Sequence, residues 1–220
     1  MAIYMAFLLV QSQCPEELVW LYPLKTVAVA TALFGFRKKY EELRVPSSSA
    51  AAVGVRGNVL ISYTLAVAVG LAAIVIWIGA DPCYLGMTRL MGGRPSVPFD
   101  PTSIKPVEWR YVFIGFRVLG AVVVVAFMEE IFWRGFLIRW LDGKDFKSVP
   151  IGVCSWKAFG ITAVLFGLEH EHWLAGMVCG ALYNWLYWRR KDLFSCVLAH
   201  ATSNAALAAW VLWRGDWKFW

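Results

Sequence analysis

Charge is scarce in this chain. Asp, Glu, Lys and Arg make up 16% of its 220 residues, against about 25% in ordinary globular proteins. With 60% hydrophobic residues, 13 Trp and a mean hydropathy of +0.58, this excludes an ordinary soluble domain. It predicts a polytopic membrane protein with a single membrane domain. Histidine is scarcer still, with His170, His172 and His200 only. The HExxH signature of zinc proteases is absent. Residues 169–172 read Glu-His-Glu-His, and histidines two apart stand about 200° apart around a helix. A regular helix face cannot present both to one ion. The five cysteines stand singly, none in a CxxC, so no disulfide framework or structural zinc site is readable. They are expected as small buried hydrophobes, and a Cys14–Cys83 bridge is left open because both fall on one predicted side. No basic region precedes the apolar stretch Ala2–Val10, so no secretory signal peptide is expected. There is no internal repeat and no low-complexity segment. The net charge of +6 is gathered between apolar spans, which argues against nucleic acid as a partner.

What remains is a series of apolar spans. Ala2–Val10 is a weak or partial one, ended by Pro15, Glu16 and Glu17. Leu18–Phe36 opens on the interface anchors Trp20 and Tyr22, with Lys25 within snorkelling distance of its end. A basic and small-residue loop follows, through Ser47–Gly57. Asn58–Ala80 is the clearest span, at about 23 residues against the 20 or so required. Five prolines and Gly92–Gly93 make Asp81–Glu108 a loop with room for one short amphipathic piece. Trp109–Leu141 is long for one span and is expected to tilt, kink or break near its Glu pair. Lys157–His170 and Trp173–Trp188 are shorter, and Leu193–Trp213 is the last. The predicted fold is all-α, a polytopic transmembrane helical bundle of about seven spans. Residues 1–108 form its N-terminal part, 109–213 a helical core and 214–220 a short tail. Arg37, Lys38, Lys39, Arg44 and Arg56, then Arg139, Lys144 and Lys147, then Arg189, Arg190 and Lys191 all fall on one side when the spans alternate. The positive-inside rule makes that side, and the N-terminus, cytoplasmic.

Within the long span lies FMEEIFWRGFLIRW, residues 127–140. A single charge at the centre of a membrane helix costs about 2.5–3.5 kcal/mol on insertion scales. Glu129, Glu130 and Arg134 therefore have to face one another or a wet cavity. Glu130 and Arg134 are four apart and can pair, whereas Glu129 is turned about 100° away. Counted along their helices, Glu129, His170, His200 and Asn204 lie about 15–21 Å from one membrane face. They share a depth near mid-membrane, in three spans. A carboxylate and a histidine at one site can deprotonate water. A second histidine and an amide can stabilise the oxyanion of a peptide carbonyl. The plainer reading makes His200 and Asn204 interhelical hydrogen-bonding groups. His172 is expected at the outer interface, without a role.

EEIFWR (129–134), FGLEH (166–170) and HATSN (200–204) match, in order and spacing, the EExxxR, FxxxH and HxxxN motifs of a known family. From Trp109 to Trp213 the chain resembles the CAAX protease and bacteriocin-processing (CPBP) group of glutamic-type intramembrane endopeptidases. FGLEHEHWLAG and the upstream LYPLKT resemble an exosortase-associated bacterial branch. The resemblance implies hydrolysis of a peptide bond in a membrane-associated protein or peptide, without metal or cofactor. Glu129 would activate water with His170, His200 and Asn204 would form the oxyanion hole, and Glu130 and Arg134 would hold the site as an ion pair. It also implies residence in a bacterial inner membrane. Partners are then the lipid bilayer and the substrate, and the sequence leaves the oligomeric state open. Two rivals remain: a zinc-dependent membrane protease, and a non-catalytic membrane partner of the immunity type that some members resemble.

Overall fold

The computed structural model describes residues 1–14, 17–43, 59–90 and 98–219. Pro15, Glu16, Arg44, the Ser47–Gly57 loop with Arg56, Asn58, Gly92–Gly93, Arg94, Pro95 and Trp220 lie outside them. The described residues form helices and turns, with no strand among them. The helices are α1 (Ala2–Gln13), α2 (Leu18–Phe36), α3 (Val59–Gly79), α4 (Asp81–Leu90), α5 (Val107–Asp142), α6 (Trp156–Leu168), α7 (Trp173–Arg190) and α8 (Leu193–Arg214).

Among the described residues, Leu18–Lys39, Tyr63–Tyr84, α5 and α8 are long and apolar enough to cross a membrane. The 13 residues of α6 reach about 20 Å, short of a hydrocarbon core of about 30 Å. Exposure is inverted relative to a soluble protein. Glu130, Arg134 and Asn184 are 0% exposed, while Val75, Leu9 and Phe34 are 66–71% exposed. Polar groups inside and bare aliphatic groups outside suit a chain whose solvent is lipid. This is an integral membrane protein of helical-bundle architecture.

The long span does not break. α5 runs from Val107 to Asp142 and absorbs its irregularity in two π-helical segments, Gly120–Val125 and Ile131–Leu137. These flank the single α-helical turn Ala126–Glu130 that carries both glutamates. A π segment holds an extra residue per turn, so it re-aims every side chain beyond it, and such segments are frequent at functional sites. The short piece for which the 81–108 loop left room is helical, Asp81–Leu90. Pro82 sits in its first turn, where a missing N–H removes no helical bond.

α6 packs on α7, α3 on α8 and α7, and the middle of α5 on α8. Two close approaches need glycine. A Cβ on Gly70 of α3 would collide with the Ala199 carbonyl and lie 2.8 Å from Thr202 Cβ on α8. A Cβ on Gly167 at the end of α6 would collide with Met177 and lie 2.5 Å from the Trp173 carbonyl of α7. Short polar caps fix the turns that set these helices. Asp142 accepts hydrogen bonds from Ser155 N and Oγ, and Ser155 Oγ accepts from Ala158 N to cap α6. Asp192 caps α8 by accepting from Ser195 N.

Five side chains sit differently from the sequence expectation. Lys25 does not snorkel; it is 3% exposed and turned inward, because Gln11 of α1 offers its amide oxygen at 3.0 Å. Arg139 is not a loop cation but a buried clasp, donating to Glu42 at 3.0 Å and to the Val149 and Gly135 carbonyls. His172 is buried beneath Phe219, with its Nε2 3.2 Å from Asp81 Oδ1. Lys218 donates to the other Asp81 oxygen at 2.8 Å, and that hydrogen bond holds the ammonium above its usual range. Cys14 and Cys83 are free and exposed rather than buried, whereas Cys179 and Cys196 are buried as expected.

Candidate active site

The site begins with one buried carboxylate oxygen. Glu130 Oε1 accepts from Arg134 Nη1 at 3.0 Å and from His200 Nδ1 at 2.8 Å. The i,i+4 spacing on α5 supplies the first partner, and α8 supplies the second. Each nitrogen of Arg134 finds a partner in the bundle. Its Nε donates to Asn184 Oδ1 and its Nη2 to the Gly180 carbonyl, both at 2.9 Å. The Phe166 and Tyr183 rings lie 4.8 and 5.4 Å from the guanidinium carbon. Asn184 in turn donates to the Phe159 carbonyl and to Thr162 Oγ1. A chain of buried hydrogen bonds thus ties α5, α6, α7 and α8 together.

His200 is held on its other sides as well. Its ring stacks on Tyr183 at 5.3 Å, and Ser203 Oγ, 2.6 Å from the Tyr183 hydroxyl, donates to the His200 carbonyl at 2.8 Å. Asn184, Gly180, Tyr183 and Ser203 were not singled out from the sequence. A lone Asn in an apolar helix is a weak signal, and nothing else marked these four.

His170, His200 and Asn204 all line one cavity of about 320 Å³ between the helices. The local geometry fixes what each can offer it. His170 Nδ1 lies 2.7 Å from the Phe166 carbonyl. A carbonyl only accepts, so Nδ1 carries the proton and a neutral ring presents Nε2 as an acceptor. His200 Nδ1 likewise faces a carboxylate, so its Nε2 accepts when the ring is neutral and donates when it is protonated. Asn204 Nδ2 donates to the Ala121 carbonyl at 2.8 Å. A primary amide has a second N–H for another acceptor.

Glu129 stands apart from this group. It is buried and its Oε2 has no hydrogen-bond partner among the described residues. It does not line the cavity, and no hydrogen bond joins it to His170 among those residues. Yet Arg117, Ala121 and Val125 line the cavity at four-residue intervals, and Glu129 is the next position of that series. Glu129 thus continues the α5 stripe one turn past the cavity lining. The six residues fall into a bonded set, Glu130, Arg134 and His200, a cavity-facing set, His170, His200 and Asn204, and Glu129 at the end of the stripe.

Among the described residues no group of three or more His, Cys, Asp and Glu side chains is placed to hold a metal ion. His172 is turned to Asp81, not toward His170 and His200.

A buried glutamate–arginine–histidine network thus lies inside a helical bundle whose long apolar helices can cross a membrane. Residues 111–206 match the family model of the type II CAAX prenyl endopeptidase Rce1-like proteins. This segment, which holds all six site residues, is similar to that family. The match supports a CAAX-type intramembrane protease in general terms, and it does not extend to the exosortase-associated branch. No curated protein and no solved structure matches the chain.

Proposed function

We propose that the protein hydrolyses a peptide bond in a membrane-associated protein or peptide by attack of water, with Glu129 and His170 as the base and His200 and Asn204 as the oxyanion donors. The observation that carries this reading is the common cavity of His170, His200 and Asn204, with an unpartnered buried carboxylate oxygen at the end of its α5 wall.

Water bound between Glu129 and the His170 Nε2 gives up a proton as its oxygen attacks the scissile carbonyl carbon. The carbonyl oxygen takes the negative charge and accepts from the second Asn204 N–H and from Nε2 of protonated His200. Glu130 makes that imidazolium tolerable, since its carboxylate already lies 2.8 Å from Nδ1. When the tetrahedral intermediate collapses, the proton held by the base passes to the leaving amine. No group of the protein changes covalently. Glu130 and Arg134 are positioning residues in this scheme, acting through His200. The substrate arrives from the bilayer, and the enzyme lies in a bacterial inner membrane with its N-terminus in the cytoplasm.

The test is a search for cleavage without a presumed substrate. The purified protein is reconstituted into liposomes with a solubilised membrane-protein fraction of the same organism, and new chain ends are read by mass spectrometry. New ends made by the wild type in excess chelator, and not by Glu129→Gln, are expected. Ends lost to chelator and restored by zinc would place the chemistry on a metal. Ends still made by Glu129→Gln would remove Glu129 as base, and no ends at all would favour the non-catalytic reading.

A further inference from the structure

The cavity that holds His170, His200 and Asn204 is also lined by Lys25, Arg117 and Gln11, none of which the proposed chemistry uses. No Asp or Glu lines it among the described residues. Lys25 is 3% exposed, inside a membrane span. Its ammonium lies 4.6 Å from the Tyr4 ring centre and 4.5 Å from that of Tyr22. No carboxylate pairs with it among the described residues. Among the described residues its hydrogen bond goes to Gln11 Oε1 at 3.0 Å. Because Lys only donates, that bond fixes the Gln11 amide with Nε2 turned away. Nε2 is then a buried donor without a partner. The Arg117 guanidinium lies over the same Tyr22 ring, 4.8 Å from its centre. Lys25 and an orphaned N–H thus meet at a part of the cavity that no carboxylate lines among the described residues, where a buried ammonium is costly unless an anion joins it.

The geometry points to a subsite for a carboxylate of the substrate peptide, bound by Lys25 Nζ and Gln11 Nε2 with Arg117 beside them. Its place relative to the chemistry follows from α5. Arg117 is four residues, about 6 Å, from Ala121, whose carbonyl holds the Asn204 amide. An extended peptide covers about 3.3 Å per residue. A chain anchored by its carboxylate at Lys25 therefore brings a nearby peptide carbonyl to Asn204, a few residues away. The subsite would fix where along the chain the cut falls. This rests on reading the cavity as a peptide site, and either a terminal or a side-chain carboxylate has the required chemistry.

The test measures binding in the Glu129→Gln background, so that turnover plays no part. The probes are three fluorescent, dodecanoylated apolar peptides: a free acid, its C-terminal amide, and an amide with one internal glutamate. A charge-assisted hydrogen bond contributes about 1.5–3 kcal/mol, so the free acid or the glutamate amide is expected to bind at least about tenfold more tightly than the plain amide. Which of the two does so identifies the source of the carboxylate. Lys25→Gln should bring all three within about twofold of one another, and Lys25→Arg, which keeps the charge, should restore the preference. Equal binding of the three probes, absent binding of all, or a preference that survives Lys25→Gln would overturn the subsite. Displacement by dodecyl phosphate without any acid preference would also overturn it, in favour of a phosphate. A carboxylate preference in a protein that cleaves nothing would leave the subsite standing and remove the hydrolase reading instead.

Discussion

At the residue scale the account turns on Arg134 and Asn204. Arg134 makes three buried hydrogen bonds to Glu130, Asn184 and Gly180. Removing one partner of a buried ion pair costs about 3–5 kcal/mol, because the other charge is left uncompensated. Arg134→Leu should lower the thermal midpoint in detergent clearly and abolish activity. Glu130→Gln with Arg134→Leu should regain part of the lost stability and none of the activity. An unchanged midpoint in Arg134→Leu would contradict the network. Asn204 is different, because its role lies in the transition state. Asn204→Ala should reduce kcat by about 10²–10³ with little change in KM, as loss of an oxyanion donor does. A raised KM at constant kcat would reassign it to ground-state binding. Glu129, Glu130, Arg134, His170, His200 and Asn204 were legible because an ionisable or amide group in an apolar span is conspicuous. Lys25 was misread for a related reason. Its distance from the span end suggested snorkelling, and the sequence could not show that Gln11 of another helix would draw it inward.

At the scale of the element, α5 carries the design. Its two π segments set the angle between the cavity stripe Arg117, Ala121 and Val125 and the residues that follow. Deleting Val122 would return the first segment toward α-helical spacing and turn Glu129 by about 100° relative to Arg117. The variant should still insert, with helix content near that of the wild type by circular dichroism. Turnover should fall more than about a hundredfold, since small misplacements of reacting groups have that effect. Near-normal turnover would show that the π segment is incidental. The span itself could be read from its length and hydropathy. The π segments could not, because an extra residue per turn leaves no mark in an unbroken run such as VLGAVVVVAFM. For α4 the sequence left room for a short piece, but the proline-rich stretch did not mark its bounds, Asp81–Leu90.

At the scale of the molecule the helical bundle was legible from composition, and the inward gathering of polar groups followed from the absence of water in the bilayer. The depth estimate correctly brought His170, His200 and Asn204 to one cavity. It could not say that Glu129 would fall outside the cavity lining, since depth along a helix does not fix rotation once π segments intervene. The orientation has its own test. Cys14 and Cys83 are exposed and free and fall on the side opposite the basic loops. In intact cells an impermeant maleimide should label both from outside the cytoplasmic membrane. Labelling only after permeabilisation would reverse the topology.

The central claim is that Glu129 activates a water and forms no bond to the substrate. A single turnover in ¹⁸O-water, with substrate cleaved by excess enzyme, tests this most directly. The account predicts one heavy oxygen in the new carboxylate of the product and none in the Glu129-bearing fragment. Heavy oxygen in the Glu129 carboxylate, delivered through an anhydride with the substrate, would contradict it and make Glu129 a nucleophile.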